Sequence, residues 1–94
     1  MQQYRTRPRI ISEVLLKAYR SAVDGGASVS GFMRTCNLSY AAAAHLLGEL
    51  VGSGLLLEVR ADGTVKYKIS ERGSVFLEKY AQLKEFVEAY GLKL

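Results

Sequence analysis

One cysteine, Cys36, and one histidine, His45, are all that this 94-residue chain offers of the side chains that most often bind metals or pair as nucleophile and base. A lone cysteine closes no internal disulfide, which suits a reducing, intracellular setting. A lone histidine and a lone cysteine assemble no metal set and no catalytic pair within one chain. No two acids flank a glycine-rich loop, so neither an enzyme nor a cofactor is expected, and no small-molecule ligand is evident. Long apolar runs are missing too: nothing approaches the ~18 consecutive apolar residues of a membrane span. Ile10, Ile11, Val14 and Leu15 follow a basic start, but Ser12, Glu13 and Lys17 interrupt them too early for a signal sequence. A soluble, cytoplasmic protein with no membrane partner is the expectation.

What the chain has is a hydrophobic content of 49%, enough for one modest core in 94 residues and too little for two. It also has 13 Lys+Arg against 9 Asp+Glu, a net charge of +4, which favours an acidic partner such as nucleic acid. The charge gathers at the front, in Arg5, Arg7 and Arg9, whereas residues 73–94 balance their lysines against glutamates.

Periodicity divides the chain into elements. Residues 1–9 carry no apolar period and read as a basic arm, with Pro8 fixing the backbone before a first helix over residues 9–23. Ile10, Val14, Leu15, Ala18 and Ala22 recur on that helix until Gly25 and Gly26 stop it. Ser28 caps a short second helix carrying Val29, Phe32 and Met33, and Thr35, Cys36 and Asn37 leave room only for a tight turn. Ser39 caps a third helix whose Ala43, Leu46, Leu47, Leu50 and Val51 form one stripe. The runs LLLEVR and VKYKIS flank an Asp62-Gly63 pair, the signature of a tight hairpin. A last helix opens near Ser70, and its Phe76, Tyr80, Leu83, Val87, Tyr90 and Leu94 alternate four and three residues apart, a heptad seam.

This order predicts an α+β, mostly helical fold: a winged helix-turn-helix domain over residues 10–72, followed by a C-terminal dimerisation helix over residues 73–94. In such a domain the third helix meets the major groove and the hairpin reaches adjacent backbone. Here the outward positions of the third helix are Ala41, Ala42, Ala44, His45, Gly48 and Glu49, and most of these cannot hydrogen-bond a base edge. Near its entry end Ser39, Tyr40 and His45 offer polar groups, while Arg34, Thr35 and the helix N-terminus are placed for phosphate. Arg60, Lys66 and Lys68 flank the hairpin and suit sugar-phosphate or a minor groove, as do the arm arginines Arg5, Arg7 and Arg9. The seam from Phe76 to Leu94 is more apolar stripe than a small domain covers alone, which points to a homodimer. Lys79, Lys84 and Lys93 lack acidic mates at the flanking positions, so charge leaves the strand orientation open.

NLSY at 37–40, then Leu47 and Leu50, GLLLE at 54–58, YKISERG at 67–73 and FLEKY at 76–80 form a distinctive set. Over residues 10–80 the chain resembles the archaeal "ten-a" family of small basic winged-helix DNA-binding proteins. The resemblance implies a homodimer joined by an antiparallel coiled coil, with duplex DNA bound by the third helix and the wings in a nucleoid-associated chromatin or regulatory role. The chain departs from that pattern at residues 41–44, where relatives usually carry polar or basic side chains, and in a final helix that looks short, with Gly91 near its end. Together these readings predict binding to double-stranded DNA mainly through phosphate, with low sequence preference. The alternative is a winged-helix protein-interaction module whose alanine face docks a partner.

Overall fold

A computed structural model describes residues 5–94; the part of the basic arm formed by residues 1–4 lies outside them. Hydroxyl side chains set where each helix begins. The Thr6 hydroxyl accepts from the Arg9 amide (3.3 Å) at the head of α1, Arg7–Arg20. Helix α1 starts two residues earlier than the sequence pattern suggested, because Pro8 falls in its first turn, where its fixed φ fits and its missing N–H goes unneeded. Arg7 and Arg9 are therefore helical residues. The α-helix also ends sooner than expected, at Arg20, and a 3-10 turn over Ala22–Asp24 follows, with Val23 in solvent.

Ser28 accepts from Gly31 N (3.3 Å) to open α2, Val29–Cys36. The helix runs through Thr35 and Cys36, which the sequence placed in the turn. The reversal is made by Asn37 in the left-handed region (φ 54) and Leu38, whose amide donates to the Met33 carbonyl at 3.0 Å. Ser39 then accepts from Ala42 N (3.1 Å) and starts α3, Tyr40–Gly52. Helix α3 closes on Gly54 (φ 80), with Leu55 N donating to Leu50 O and Gly54 N to Val51 O, the paired bonds of a Schellman motif.

The wing is β1, Leu56–Ala61, antiparallel to β2, Thr64–Ile69, in the register Leu56↔Ile69 to Ala61↔Thr64. Asp62 (φ 54) and Gly63 (φ 75) are both left-handed, which is the backbone twist a two-residue hairpin turn demands. A third segment joins the pair at one residue: Ala27 and Tyr67 exchange both backbone bonds, at 3.0 and 2.8 Å. Gly26 makes that approach possible, since a Cβ there would stand 2.7 Å from the Tyr67 carbonyl oxygen.

Val14, Leu15 and Ala18 of α1, Phe32 and Cys36 of α2, Leu46, Leu47 and Leu50 of α3, and Leu56 of β1 form the core. Full burial of a residue such as Phe32, Leu15 or Leu47 contributes roughly 1.5–3 kcal/mol. Phe32 meets Tyr67 edge to face, with centroids 6.2 Å apart, and so ties the helices to the wing.

The final helix, α4, spans Glu71–Glu88 and is capped by Ser70, whose hydroxyl accepts from Gly73 N (3.0 Å) and donates to the Gly54 carbonyl (2.7 Å). The expected seam is divided here. Phe76, with Leu77, packs against the domain's own core, and Tyr80 stacks on Phe76, so the first half of the stripe is largely covered within the chain. Tyr90 and Leu94 lie beyond the helix: Leu92 N bonds Val87 O and Gly91 N bonds Glu88 O around a left-handed Gly91 (φ 78). A 4-3 spacing does not register that terminator, although Gly91 near the end of the sequence already marks the final helix as short. The apolar surface left open on the second half is Leu83, Phe86 and Tyr90, beside a half-buried Val87.

Candidate nucleic-acid interface

Helices α2 and α3 form the helix-turn-helix, and the register of α3 follows from burying Ala43, Leu46, Leu47 and Leu50. That leaves Tyr40, Ala41, Ala42, His45, Gly48 and Glu49 exposed and Ala44 half-buried, the outward face expected from 100° per residue. Along this face only Tyr40, His45 and Glu49 carry polar groups beyond the backbone. Ser39 is exposed at its head, with its oxygen committed to the cap. Arg34 and Thr35 are exposed on the last turn of α2, just before the turn.

The arginines of the expected arm have each found a partner. The Arg5 guanidinium donates to Glu13 Oε1 (2.5 Å), to the Cys36 carbonyl (2.7 Å) and to the Asn37 carbonyl (3.2 Å). It thus satisfies carbonyls at the end of α2 and lies with its side chain only 22% exposed. Arg5 is a clamp between the chain's start and the helix-turn-helix, not a loose arm. Arg9 lies 3.5 Å from the same Glu13, one turn along α1. Arg7 pairs with Glu49 of α3, and His45 Nε2 stands 3.6 Å from the same Glu49 oxygen. The Arg7 guanidinium, by hydrogen bonding, holds the Glu49 carboxyl below its usual range. Arg7, Ile10, Leu38, Ala42, His45 and Leu46 line a groove of about 180 Å³ between α1 and the first turns of α3.

On the wing, Arg60 lies 3.2 Å from Glu58 and remains mostly in solvent. Lys66 donates to the Asp24 carbonyl at 2.8 Å, tying the wing to the 3-10 turn, while Lys68 is exposed. The structure thus brings Arg7 and His45 together beside α3, and keeps Arg34, Thr35, Arg60 and Lys68 at the surface. Two residues missing from the sequence-predicted set also belong to this region. Glu49 was legible only as an outward position, although its i,i+4 spacing from His45 marks a pair. Arg72 reaches Ser53 O (3.4 Å) at the end of α3, a contact between residues 19 apart that no local pattern announces. Cys36 is buried, and burial raises its thiol pKa, followed by the nearby Glu13 carboxylate. Among the described residues no helix is long and apolar enough to cross a membrane.

Among solved structures, the fold is similar to Sso10a-2, a DNA-binding protein from Sulfolobus solfataricus. The TM-score is 0.72 and the identity 18%, over 93% of this chain and 90% of that one. It is also similar to a MarR family protein from Bacillus stearothermophilus, with a TM-score of 0.68 at 19% identity, over 96% of this chain. BpsR of Bordetella bronchiseptica matches with a TM-score of 0.69 at 16% identity, over 90% of this chain. The chain spans 61% of the length of the former and 59% of the latter. At these identities the likeness is one of fold. No curated protein sequence matches the chain at a significant level. The sequence model of the winged helix-turn-helix family matches residues 4–88, nearly the whole length. With two helices across a tight turn, a capped third helix and a paired wing all in place, the chain belongs to the winged helix-turn-helix family.

Proposed function

We propose that this chain is a non-enzymatic, dimeric protein that binds duplex DNA chiefly through phosphate, with low sequence preference, as a nucleoid-associated chromatin protein or regulator in the cytoplasm. The observation that carries the reading is the outer face of α3. Ala41, Ala42, Ala44 and Gly48 supply no group that discriminates base edges, while Arg34 on α2, Arg60 and Lys68 on the wing and the N-terminus of α3 are exposed donors suited to phosphate. Positioning groups are plentiful and reading groups are scarce. The likeness to Sso10a-2, described as a DNA-binding protein, supports the same direction and keeps the "ten-a" resemblance as the favoured affiliation.

The dimer reading is supported by α4. Leu83 and Phe86 are exposed on its second half, and Pro8, Phe76, Lys79, Tyr80 and Leu83 line an adjoining apolar groove of about 230 Å³. The Tyr80 hydroxyl is buried without a hydrogen-bond partner. A second copy laid along α4 would cover the apolar strip and bring polar groups toward that hydroxyl.

Salt-titrated binding to a mixed-sequence duplex tests the function. For a dimer that neutralises ~6–10 phosphates, raising salt from 50 to 200 mM should weaken binding roughly 10³–10⁵-fold, with little difference among competitor sequences. Absence of binding at low salt would instead favour a winged-helix module that docks a protein on its alanine face.

A further inference from the structure

We propose that Glu49 is a built-in competitor for DNA phosphate, holding Arg7 in a pair that nucleic acid must break before Arg7 contributes to binding. The inference rests on the DNA-binding reading above and assigns a regulatory side chain within that surface. Glu49 is the only acidic residue of α3, and it lies on the exposed face of the helix. One of its carboxylate oxygens is shared: Arg7 donates to it from the first position of α1, and His45 faces it at 3.6 Å from one turn earlier on α3. Arg7 and the potentially cationic His45 are therefore both turned toward an acid of the same chain.

A guanidinium accepts carboxylate and phosphate as alternative partners in the same fork geometry. Which partner it keeps depends on how strongly the first is held. The side chains of Arg7, Glu49 and His45 are 63%, 44% and 75% exposed, so the pair is solvated and breaks at little cost. Glu49 also repels any phosphate approaching Arg7. With Glu49 ionised, the Arg7 contact is withheld and the helix face stays close to neutral. With Glu49 neutralised by substitution, Arg7 is free to add a phosphate contact, and binding gains both strength and salt dependence.

The test is fluorescence anisotropy on a mixed-sequence duplex across a salt series, with four proteins: wild type, Glu49→Gln, Arg7→Gln and the double variant. Thermal melts monitored by circular dichroism verify that all four are folded. One additional phosphate contact steepens the slope of log K against log salt by about 0.9 and is worth about eightfold at 0.1 M salt relative to 1 M. Glu49→Gln is accordingly expected to bind roughly five- to tenfold more tightly per protomer at 0.1 M salt, with a steeper slope. In the Arg7→Gln background the same substitution should gain less than about twofold and leave the slope unchanged. Equal gains in both backgrounds would overturn the proposal, because Glu49 would then act only as bulk negative charge. Unchanged or weaker binding by Glu49→Gln would overturn it too, by making the pair a device that presents Arg7. If neither wild type nor Glu49→Gln binds at 20 mM salt, the nucleic-acid reading itself has failed and this inference falls with it, an outcome distinct from the other two.

Discussion

Of the glycines, Gly73 of α4 is where an added methyl group would meet the closest backbone atom. An alanine Cβ at this position would lie 2.3 Å from the Leu55 carbonyl oxygen and 2.8 Å from Ile69 Cγ1, whereas ordinary contact begins near 3.4 Å. Relief requires the first turn of α4 to retreat from the hairpin by about 1 Å. It is not free to do so. Ser70 N donates to that same Leu55 carbonyl at 3.2 Å, and the Ser70 hydroxyl bridges Gly54 O and Gly73 N. Overpacking of this kind costs about 1–3 kcal/mol. Disturbing the cap adds about 1 kcal/mol, and alanine's better helix propensity returns about 0.8–1 kcal/mol. Gly73→Ala should therefore destabilise by about 2 kcal/mol, a fall in Tm on the order of 8–16 °C for a chain of this length.

Gly48 of α3 is the internal control. It too lies in a helix, but nothing stands within 4 Å of an added Cβ, so Gly48→Ala should stabilise by about 0.5–1 kcal/mol through propensity alone. Urea and thermal unfolding of the two variants beside wild type make the comparison. A Gly73→Ala protein as stable as wild type, with Gly48→Ala raised as expected, would show that α4 is not seated on the hairpin as described, and the argument from close approach would fail.

Two further outcomes are expected. Leu83→Glu combined with Val87→Glu should convert a dimer to a folded monomer by light scattering at micromolar concentration, because both lie on the half of α4 left open by the domain; wild type already monomeric would refute the dimer reading. The Cys36 thiol, buried and with its pKa raised by desolvation, carries less thiolate at pH 8 than a free cysteine, and its burial blocks the reagent. It should react with a disulfide reagent much more slowly in buffer than in urea, and equal rates in the two would mean that the end of α2 opens in the folded state.

Short-range chemistry explains how much was legible from sequence. Ser28, Ser39 and Ser70 announce their helices because a cap needs only the next three residues, and Asp62-Gly63 announces the wing because the turn type demands two left-handed residues. The outward face of α3 followed from periodicity for the same reason. What stayed hidden depends on distant partners. Arg7 meets Glu49 across 42 residues and Arg5 meets Cys36 across 31, so charged residues that read as a free arm are held against the domain. The strand-like contact of Ala27 with Tyr67 is a single residue long and has no pattern to show. Periodicity on α4 was real up to Val87, but a heptad says that a stripe exists and not what covers it. Here the domain itself takes Phe76 and Leu77, and Gly91 ends the helical geometry before Leu94.

The junction between α3, the wing and α4 has a bearing on how a protein with so bare a reading helix would still select among DNA sites. Three successive carbonyls leave α3 and each is engaged: Ser53 O accepts from Arg72, Gly54 O from the Ser70 hydroxyl and Leu55 O from the Ser70 amide. The start of α4 is thereby fixed to the end of α3 through three successive backbone carbonyls, held by one backbone amide and two side-chain donors. In the proposed dimer, α4 carries the partner, so this junction would set the separation and tilt of the two α3 helices. Half-site spacing and groove geometry are the features such a frame discriminates when base edges are not read. A loosened junction would then weaken binding to bent or regularly phased duplexes more than to short mixed duplexes. In that reading selectivity would depend on Gly73 and Ser70, which seat α4 on the end of α3 rather than presenting a group to a base edge.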